Sequence, residues 1–464
     1  MSGEHMAAEL VIVGAGPAGI GAALAARAAG LSVIVVDDQI EPGGQIWRSA
    51  GSAAPDHAAR LGKEYEFGRV QVQNFMACGA TYLREHTVWH IEIVAGRPTL
   101  QCAGPDGGVA ITADRLLLAT GALERPVPIP GWTMPGVMTA GGLQILLKSA
   151  RLSADNAVLA GAGPLLWLLA AQMVEAGNPP RAVVESVSGG AYLRSLRYLP
   201  GALRHPGPLA KGLGLIARVQ RAGVAVHRFA RALRVEGDGR VQALGFRDWR
   251  GRAQRIDAGI IGLHAGVIPN QQASRLLRLP HQWDREQHAF FPERDAGLKV
   301  HERIFLAGDG ARIGGAEVAW LEGQLVGRLA AGSDDPALRA RVAKRRATRP
   351  FLDSLYRPGE ALRRPADMTT LCRCEEVTAG RVRQAVRDGA SGPNQVKFLL
   401  RAGMGPCQGR VCGLAVSEVI SEGLGQDMDS TGYFRIRPPL KPVPLGVIAR
   451  SGAMTDKDRS GNVQ

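Results

Sequence analysis

Four of the six cysteines lie in the last quarter of the chain and are spaced as two close pairs. Cys372 and Cys374 form a C-x-C pair, and Cys407 and Cys412 form a C-x4-C pair further on. Four thiolates can ligate the two irons of a [2Fe-2S] cluster or one structural zinc ion. A C-x-C pair is less usual for zinc than C-x2-C, so the spacing favours the iron-sulfur cluster and leaves zinc as the alternative.

A glycine-rich turn near the N-terminus is typical of a dinucleotide-binding loop. Residues 10–13 predict a buried strand before the turn, an alanine-rich helix follows it, and a second strand over 33–36 ends at two aspartates. In such a loop the first glycine makes the turn, the second lets the backbone reach a pyrophosphate, and the third lets helix and strand pack closely. An acid after the second strand can bind a ribose. The predicted binding residues are Gly14, Gly16, Pro17, Ala18, Gly19, Asp37 and Asp38.

Two later strands also end in small-residue turns. One turn is Ala119-Thr120-Gly121 and the other is Gly308-Asp309-Gly310. Together with the first turn they resemble the two-dinucleotide-domain flavoproteins of the glutathione-reductase type. That resemblance implies FAD as the dinucleotide and implies that Asp309 hydrogen-bonds its ribityl chain.

The redox-active cysteine pair of a disulfide reductase is absent from the corresponding segment of this sequence. Such enzymes carry a cysteine pair beside the flavin, but residues 41–48 here contain none, although Gly44 and Gln45 remain as expected flavin neighbours. Cys78 and Cys102 are isolated, and we expect them to be buried small apolar residues. No Ser-His-Asp or His-Glu-x-x-His pattern occurs, so no catalytic side chain is predicted. The chemistry is expected to belong to cofactors that the protein holds and tunes.

A second glycine turn, in the middle of the chain, departs from the pattern. It contains Gly161 and Gly163, but Leu166 stands at the third glycine position. A leucine at this position is expected to prevent close packing of the following helix on the strand and to distort the pyrophosphate-binding site. Glu185 ends the next strand and is placed for a ribose, with no arginine near it in the sequence for a 2′-phosphate. NAD is the only pyridine nucleotide we would expect, and Leu166 argues against it.

The composition excludes several classes of protein. With 45% hydrophobic and 21% charged residues, the 464-residue chain is neither disordered nor fibrous. The net charge of +14 is spread over scattered arginines without an aromatic-plus-basic tract, so we expect no nucleic acid but a solvated surface or a face that docks an acidic partner. No signal peptide or run of about 20 apolar residues is seen, which predicts a cytoplasmic protein and no transmembrane segment.

Longer stretches identify a narrower group. They are residues 119–142, the segment Pro42-Gly-Gly-Gln-Ile-Trp-Arg48, the turn 308–310 and Phe434-Arg-Ile-Arg-Pro-Pro439. Over nearly its full length the chain resembles the A (alpha) subunits of opine oxidases, the large flavoprotein subunit of hydrogen cyanide synthase, and the alpha subunits of heteromeric sarcosine oxidase and (hydroxy)proline dehydrogenases. The cysteine segment resembles the bacterioferritin-associated-ferredoxin-like [2Fe-2S] domain, with all four cysteines matched.

The resemblance implies a division of labour between subunits. In that group a beta subunit of D-amino-acid-oxidase type oxidises a secondary amine or amino acid at its own flavin. The alpha subunit, which this chain resembles, passes the electrons to an acceptor such as a quinone or an electron carrier. Because quinones lie in the membrane, a peripheral contact with the inner membrane is compatible with this role. A small third subunit is also compatible with this group, as is an FMN at a subunit interface.

The leading interpretation is therefore an α/β flavoprotein with two dinucleotide-binding domains and a small C-terminal [2Fe-2S] domain, which serves as the electron-transfer subunit of an oxidoreductase complex. One alternative is a self-sufficient NADH-dependent flavin and iron-sulfur reductase, and another is a scaffold subunit whose cysteines hold zinc. The predicted units are a first FAD-binding part at 7–127, an inserted NAD-binding-like domain at 128–270, a second FAD-binding part at 271–345, a linker at 346–368, the [2Fe-2S] domain at 369–430 and a tail at 431–464.

Overall fold

The structure, a computed structural model, describes residues 4–450, so the last part of the predicted tail, 451–464, lies outside the described residues. The first segment contains β1 Glu4–Val13, α1 Pro17–Ala28, β2 Val33–Val36, α2 Pro55–Leu61, α3 Lys63–Ala77, β3 Thr81–Leu83, β4 Thr87–Val94, β5 Arg97–Gly104, β6 Gly107–Leu118 and β7 Ala122–Glu124. The second contains β8 Val137–Thr139, α4 Ala140–Ala150, β9 Val158–Ala162, α5 Pro164–Glu175, β10 Ala182–Glu185, α6 Gly189–Ser195, α7 Leu199–Leu203, α8 Gly207–Arg221, β11 Ala225–His227, β12 Arg231–Gly237, β13 Val241–Arg247, β14 Ala253–Asp257 and β15 Ile261–Ala265.

The chain then returns to the first unit and continues into the cysteine-containing module. The return contains β16 Val267–Pro269, α9 Gln272–Leu276, β17 His281–Asp284, β18 Ala289–Pro292, β19 Lys299–His301, β20 Ile304–Leu306, α10 Ala316–Ala330 and α11 Pro336–Arg346. The remainder contains α12 Arg349–Leu355, α13 Glu360–Arg363, β21 Thr370–Cys372, β22 Val377–Thr378, α14 Ala379–Arg387, α15 Pro393–Leu400, α16 Gly413–Leu424 and α17 Met428–Thr431.

The first sheet is built from both sides of the insertion. β1 pairs in parallel with β2 and β6, and β20 joins β6 in parallel after the whole second unit has been completed. β2 is buried along its full length because helices and the cysteine-containing module cover the faces of this sheet. α1 and α10 cross at close range: a Cβ on Gly323 would lie 2.0 Å from the carbonyl oxygen of Ala18. Only glycine permits that approach, which holds the two parts of the first unit together.

The second unit has its own parallel sheet in the order β11-β10-β9-β15-β8. Two antiparallel strands, β7 and β16, connect it to the first unit, one on the way out and one on the way back. The segment expected to be a linker contains α12 and α13, and α12 packs against α6 of this unit. The four-cysteine module shares one apolar core with the face of the first sheet, including Val11, Ile111, Val382 and Val416. No helix between residues 4 and 450 is long and apolar enough to cross a membrane.

Candidate functional site

The turns predicted to bind FAD meet at the carboxyl edge of the first sheet. The amide of Gly14 donates to the carbonyl of Val36 (2.8 Å), and the amide of Ala119 donates to the carbonyl of Val13 (2.9 Å). These bonds place the glycine loop, the acidic end of β2 and the Ala119-Thr120-Gly121 turn side by side. This edge is where ligands bind in open parallel sheets.

The backbone at Gly16 is open to a ligand. Gly16 is the N-cap of α1, and no side chain caps the helix there. A Cβ on Gly16 would contact only the Cα of Gly44, at 3.9 Å, so the space above the loop is not filled by the protein. By contrast, a Cβ on Gly44 would lie 2.9 Å from the Cα of Gly16. The two glycines therefore form a narrow backbone cradle at a helix N-terminus, which suits a pyrophosphate.

The two predicted aspartates after β2 have different surroundings. The carboxylate of Asp37 accepts hydrogen bonds from the amides of Ala15 (2.5 Å) and Gln39 (2.8 Å). Burial raises the pKa of Asp37, although these amides and nearby cations oppose the rise. Asp38 forms an ion pair with Lys441, which the C-terminal segment brings to the nucleotide edge. No sequence pattern indicated this lysine, because more than 400 positions separate the partners (38 and 441).

Asp309, predicted to bind the ribityl chain, has one carboxylate oxygen held by the backbone. Its Oδ1 accepts hydrogen bonds from the amides of Gly314 (2.7 Å) and Gly315 (2.8 Å), which fixes the carboxylate. Within residues 4–450 its other oxygen has no hydrogen-bond partner and is available to a hydroxyl donor. Gly310 packs on the other turn, since a Cβ there would lie 2.9 Å from the Oγ1 of Thr120. Of the remaining predicted residues, Pro17, Ala18 and Gly19 form the first turn of α1, whereas Gln45, Gly121 and Gly308 lie in the segments around it.

A buried glutamate that the sequence analysis missed anchors the Asp309 turn. Glu322, 1% exposed, accepts the amide of Gly308 (2.9 Å) and pairs with Arg294 (2.7 Å) and Arg346 (2.8 Å). Burial would raise its pKa, but the two guanidinium groups lower it to about 2. The signal available in the sequence was that Glu322 stands on the apolar face of α10, where the other residues at helical spacing are apolar.

A buried lysine connects the second unit to the predicted flavin neighbours. Lys148 in α4 donates from Nζ to the carbonyls of Gln45 (3.1 Å) and Ile46 (3.0 Å) and to Oε1 of Gln144 (3.0 Å). Burial lowers the pKa of Lys148 to about 7. Like Glu322, it is a lone charge on an apolar helix face, and its role is to position the 42–48 loop.

The four clustered cysteines are neighbours in the structure. The thiol of Cys412 donates to the sulfurs of Cys372 and Cys407, and the thiol of Cys374 donates to the sulfur of Cys407. These thiol contacts, together with backbone amides, lower the pKa of Cys372 to about 6 and that of Cys407 to about 5. Thiolates are the form that binds metals. Of the isolated pair, Cys102 is buried as expected and Cys78 is half-buried.

Glycines bring the backbone close to these sulfurs. A Cβ on Gly405 would lie 2.3 Å from the Cβ of Cys374, and the amides of Gly403 and Gly409 hydrogen-bond to Cys372 and Cys407. Within the described residues no three His, Cys, Asp or Glu side chains are grouped as ligands of a single metal ion. The thiol contacts run in a chain from Cys372 through Cys412 and Cys407 to Cys374. A soft sulfur set with amide donors fits an iron-sulfur centre chemically.

The nucleotide cleft of the second unit is filled by the chain itself. Both carboxylate oxygens of Glu185 are taken, one by Nε1 of Trp167 (3.0 Å) and the other by the hydroxyl of Tyr192 (3.2 Å). Burial raises the pKa of Glu185, and Arg228, which the sequence did not place near this acid, opposes the rise together with the hydrogen bonds from Trp167 and Tyr192. At the altered glycine turn, a Cβ on Gly163 would lie 2.7 Å from the ring of His264, so that ring stands over the turn.

The same region is covered from outside by α12. Tyr192 of α6 and Leu355 of α12 belong to one apolar cluster with Phe351 and Tyr356. Leu166 is fully buried in the core behind the turn. The residues expected to receive the ribose and pyrophosphate of NAD are therefore engaged by protein groups.

Comparison with known proteins places this geometry in a family. Residues 8–323 match the pyridine nucleotide-disulphide oxidoreductase family, and residues 369–451 match the sarcosine oxidase A3 domain. In fold the chain is similar to the crystal structure of L-proline dehydrogenase from P. horikoshii, with a TM-score of 0.71, 20% identity and coverage of 97% of this chain and 80% of that one.

Sequence relatives narrow the assignment. The A subunit of opine oxidase from Rhizobium meliloti (strain 1021) is 41% identical over 453 residues, covering 95% of this chain and 98% of the relative. The HcnB subunit of hydrogen cyanide synthase from Pseudomonas aeruginosa is 29% identical over 474 residues, covering 95% and 98%. The chain belongs to the pyridine nucleotide-disulphide oxidoreductase family and, within it, to the group that contains the opine oxidase A subunits. The predicted flavoprotein fold and oxidoreductase class are confirmed.

Proposed function

We propose that this chain is the FAD- and [2Fe-2S]-containing alpha subunit of a heteromeric dehydrogenase or oxidase of secondary amines or amino acids, of the opine, (hydroxy)proline, sarcosine or glycine type. A D-amino-acid-oxidase-like beta subunit oxidises the substrate, and this chain relays the electrons to an acceptor. The observation that carries the proposal is the contact among the four cysteines in a chain whose first unit is a flavoprotein fold. The relatives are named as subunits of opine oxidase and of hydrogen cyanide synthase, which supports a multi-subunit complex.

In this proposal the first unit holds FAD through its glycine turns. Gly14, Gly16 and Gly19 bring the backbone and the N-terminus of α1 to the pyrophosphate, Asp37 serves the adenosine ribose, and the free oxygen of Asp309 serves the ribityl chain. When bound, the flavin supplies exchange of one or two electrons. The domain limits predicted from the sequence are part of the proposal, with the flavin unit divided by the insertion.

The cysteines hold the iron-sulfur centre. Cys372, Cys374, Cys407 and Cys412 supply four thiolates, and the amides at Gly403 and Gly409 donate toward the sulfurs of Cys372 and Cys407. Amide donors stabilise negative charge on sulfur, which favours the reduced state of a bound centre. These amides would thereby raise the reduction potential of the bound centre and favour its acceptance of electrons.

The alternative, a self-sufficient NADH-dependent reductase, requires a working second nucleotide site. The engagement of Glu185 by Trp167 and Tyr192 favours the relay, since NADH would have to displace both side chains to reach the acid. The second unit then serves packing and contact between subunits.

Chemical analysis of the purified full-length chain tests the proposal. Iron, acid-labile sulfide, zinc and extractable flavin are measured on one preparation. We expect iron and sulfide in equal amounts together with FAD. Zinc in place of iron would instead support the scaffold alternative, and a preparation without flavin would overturn the role of the first unit.

A further inference from the structure

Four cations gather on the surface beside the four-cysteine module: Arg278, Lys397, Arg435 and Arg437. The pKa of Arg278 is lowered by burial and by the positive charges of Arg435 and Arg437, and Lys397 is affected in the same way by Arg437. Lys397 also donates to the carbonyl of Arg435 (3.5 Å). Within residues 4–450 none of the four forms an ion pair with a carboxylate, although such pairs occur nearby, as between Arg401 and Glu375.

Two large apolar side chains project from the same place. Phe398 is 79% exposed and Leu399 is 55% exposed, and both follow Lys397 in α15. Asn394 lies one helical turn before Phe398 on the same helix face. Its Oδ1 accepts a hydrogen bond from the backbone amide of Arg435 (2.7 Å). The apolar pair therefore borders the cationic group. We refer to the four cations and these two apolar residues as the cationic face.

The cationic face is adjacent to the sulfurs. The Nζ of Lys397 lies 5.8 Å from the centroid of the Phe434 ring. Phe434, which precedes the arginine pair, packs on the cysteine loop, because a Cβ on Gly403 would lie 2.6 Å from its ring. A partner seated on this face would be brought close to the proposed redox centre.

We propose that the cationic face docks this chain on an anionic lipid surface. Unpaired Arg and Lys side chains attract acidic headgroups, while Phe398 and Leu399 bury in the interfacial region, and two such signals together are what reversible membrane attachment requires. Only the purpose of docking, delivery of electrons to a lipid-borne acceptor, rests on the proposed function. The binding itself involves no electron transfer.

A second exposed apolar surface is the natural comparison. Leu193 and Leu203 of the second unit are 73% and 59% exposed. The arginines beside them are only partly matched: Arg197 pairs with Glu286 (2.9 Å) and Arg194 donates to the carbonyl of Ser354 (3.4 Å), whereas Arg204 has no ion pair within residues 4–450. Flotation therefore compares two apolar surfaces that both carry arginines, of which only the cationic face lies beside the four-cysteine module.

Flotation of the full-length protein with vesicles tests the proposal. We expect binding to phosphatidylcholine vesicles that contain phosphatidylglycerol, none to phosphatidylcholine alone, and release by salt. The double variant Arg435→Glu/Arg437→Glu and the double variant Phe398→Ser/Leu399→Ser should each reduce binding at least about tenfold. Arg231→Glu/Arg240→Glu, which changes the net charge equally on the hairpin of the second unit, and Leu193→Ser/Leu203→Ser should bind like the wild type.

Failure to float with phosphatidylglycerol vesicles would overturn the proposal, as would wild-type binding by both variants of the cationic face or loss of binding in the leucine variant. Retention on polyglutamate without vesicle binding would assign the face to an acidic protein instead. Circular dichroism and the iron and flavin contents of each variant separate docking from folding. Because iron and sulfide are measured independently, loss of docking with an intact cluster leaves the proposed function standing.

Discussion

At the scale of single residues, Gly16 and Gly19 illustrate two different reasons for a glycine in one loop. Gly19 is required by the fold, since a Cβ there would lie 1.8 Å from the carbonyl oxygen of Gly14. Gly16 has an ordinary backbone conformation, with φ of −80°, and free space around it. The protein alone does not need glycine at position 16, whereas a ligand approaching the backbone does.

We therefore expect Gly16→Ala to lose FAD without losing the fold. The apoprotein's free energy of unfolding should change by less than about 1 kcal/mol, while the dissociation constant for FAD should rise at least about tenfold because the methyl group enters the phosphate space. Denaturant unfolding and flavin titration check both. Gly19→Ala is the contrasting variant, and it should unfold more easily. Wild-type FAD affinity in Gly16→Ala would contradict the proposed site.

Cys407 offers the sharpest test of the cysteine assignment. It contacts both Cys374 and Cys412, so Cys407→Ser removes a ligand from the middle of the set. We expect the paramagnetic resonance signal of the reduced protein to be lost or strongly changed and the iron content to fall. Cys78→Ser, outside the cluster, is the matched control and should leave both unchanged. A wild-type spectrum in Cys407→Ser would rule the residue out as a ligand.

At the scale of elements, α10 and its buried acid tie the halves of the first unit together. Glu322 holds the Gly308 turn and two arginines from either side of the helix, Arg294 and Arg346. Its folded-state pKa of about 2 lies below its ordinary value of 4.5. The ionised acid thus stabilises the fold above about pH 4.5, and this contribution disappears as the pH falls toward 2.

We therefore predict that the free energy of unfolding decreases at acid pH and that part of this decrease depends on Glu322. Between about pH 4.5 and pH 2 the wild type should lose about 3 kcal/mol through Glu322. Glu322→Gln should be less stable at neutral pH, because two buried guanidinium groups lose their counter-charge, and should lack this portion of the pH dependence. Glu317→Gln, at an exposed position of the same helix, is the control. Urea unfolding across the pH range gives the comparison, and parallel curves for wild type and Glu322→Gln would contradict it.

The elements also show what the sequence could and could not predict. The glycine turns and the four cysteines are read from short patterns, because each pattern contains its own geometric requirement. The role of Asp309 is implied only by the resemblance to flavoproteins. Lys148, Glu322 and Lys441 contact partners that are far away in the sequence. For Lys148 and Glu322 the available signal was a charged residue on an apolar helix face, and for Lys441 there was none. The sequence did not predict that the helices within 346–368 cover the second unit. Their contacts are with α6 and its neighbours, which are distant in the sequence.

At the scale of the whole molecule, the glycine turns of the two units differ in what the protein leaves open around them. The first keeps an open glycine cradle and a carboxylate oxygen free for a ligand, and the four-cysteine module packs on the same sheet. In the second, Trp167, Tyr192 and His264 occupy the positions where a nucleotide would be held. Electrons are therefore expected to enter from a partner protein rather than from NADH.

An anaerobic titration of the purified chain tests this central claim most directly. NADH is added first and dithionite second, while the visible absorbance of the flavin is followed. We predict that NADH leaves the flavin oxidised and that dithionite bleaches it. Bleaching by NADH within seconds would contradict the account, because the second unit would then be a working nucleotide site and the chain a self-sufficient reductase.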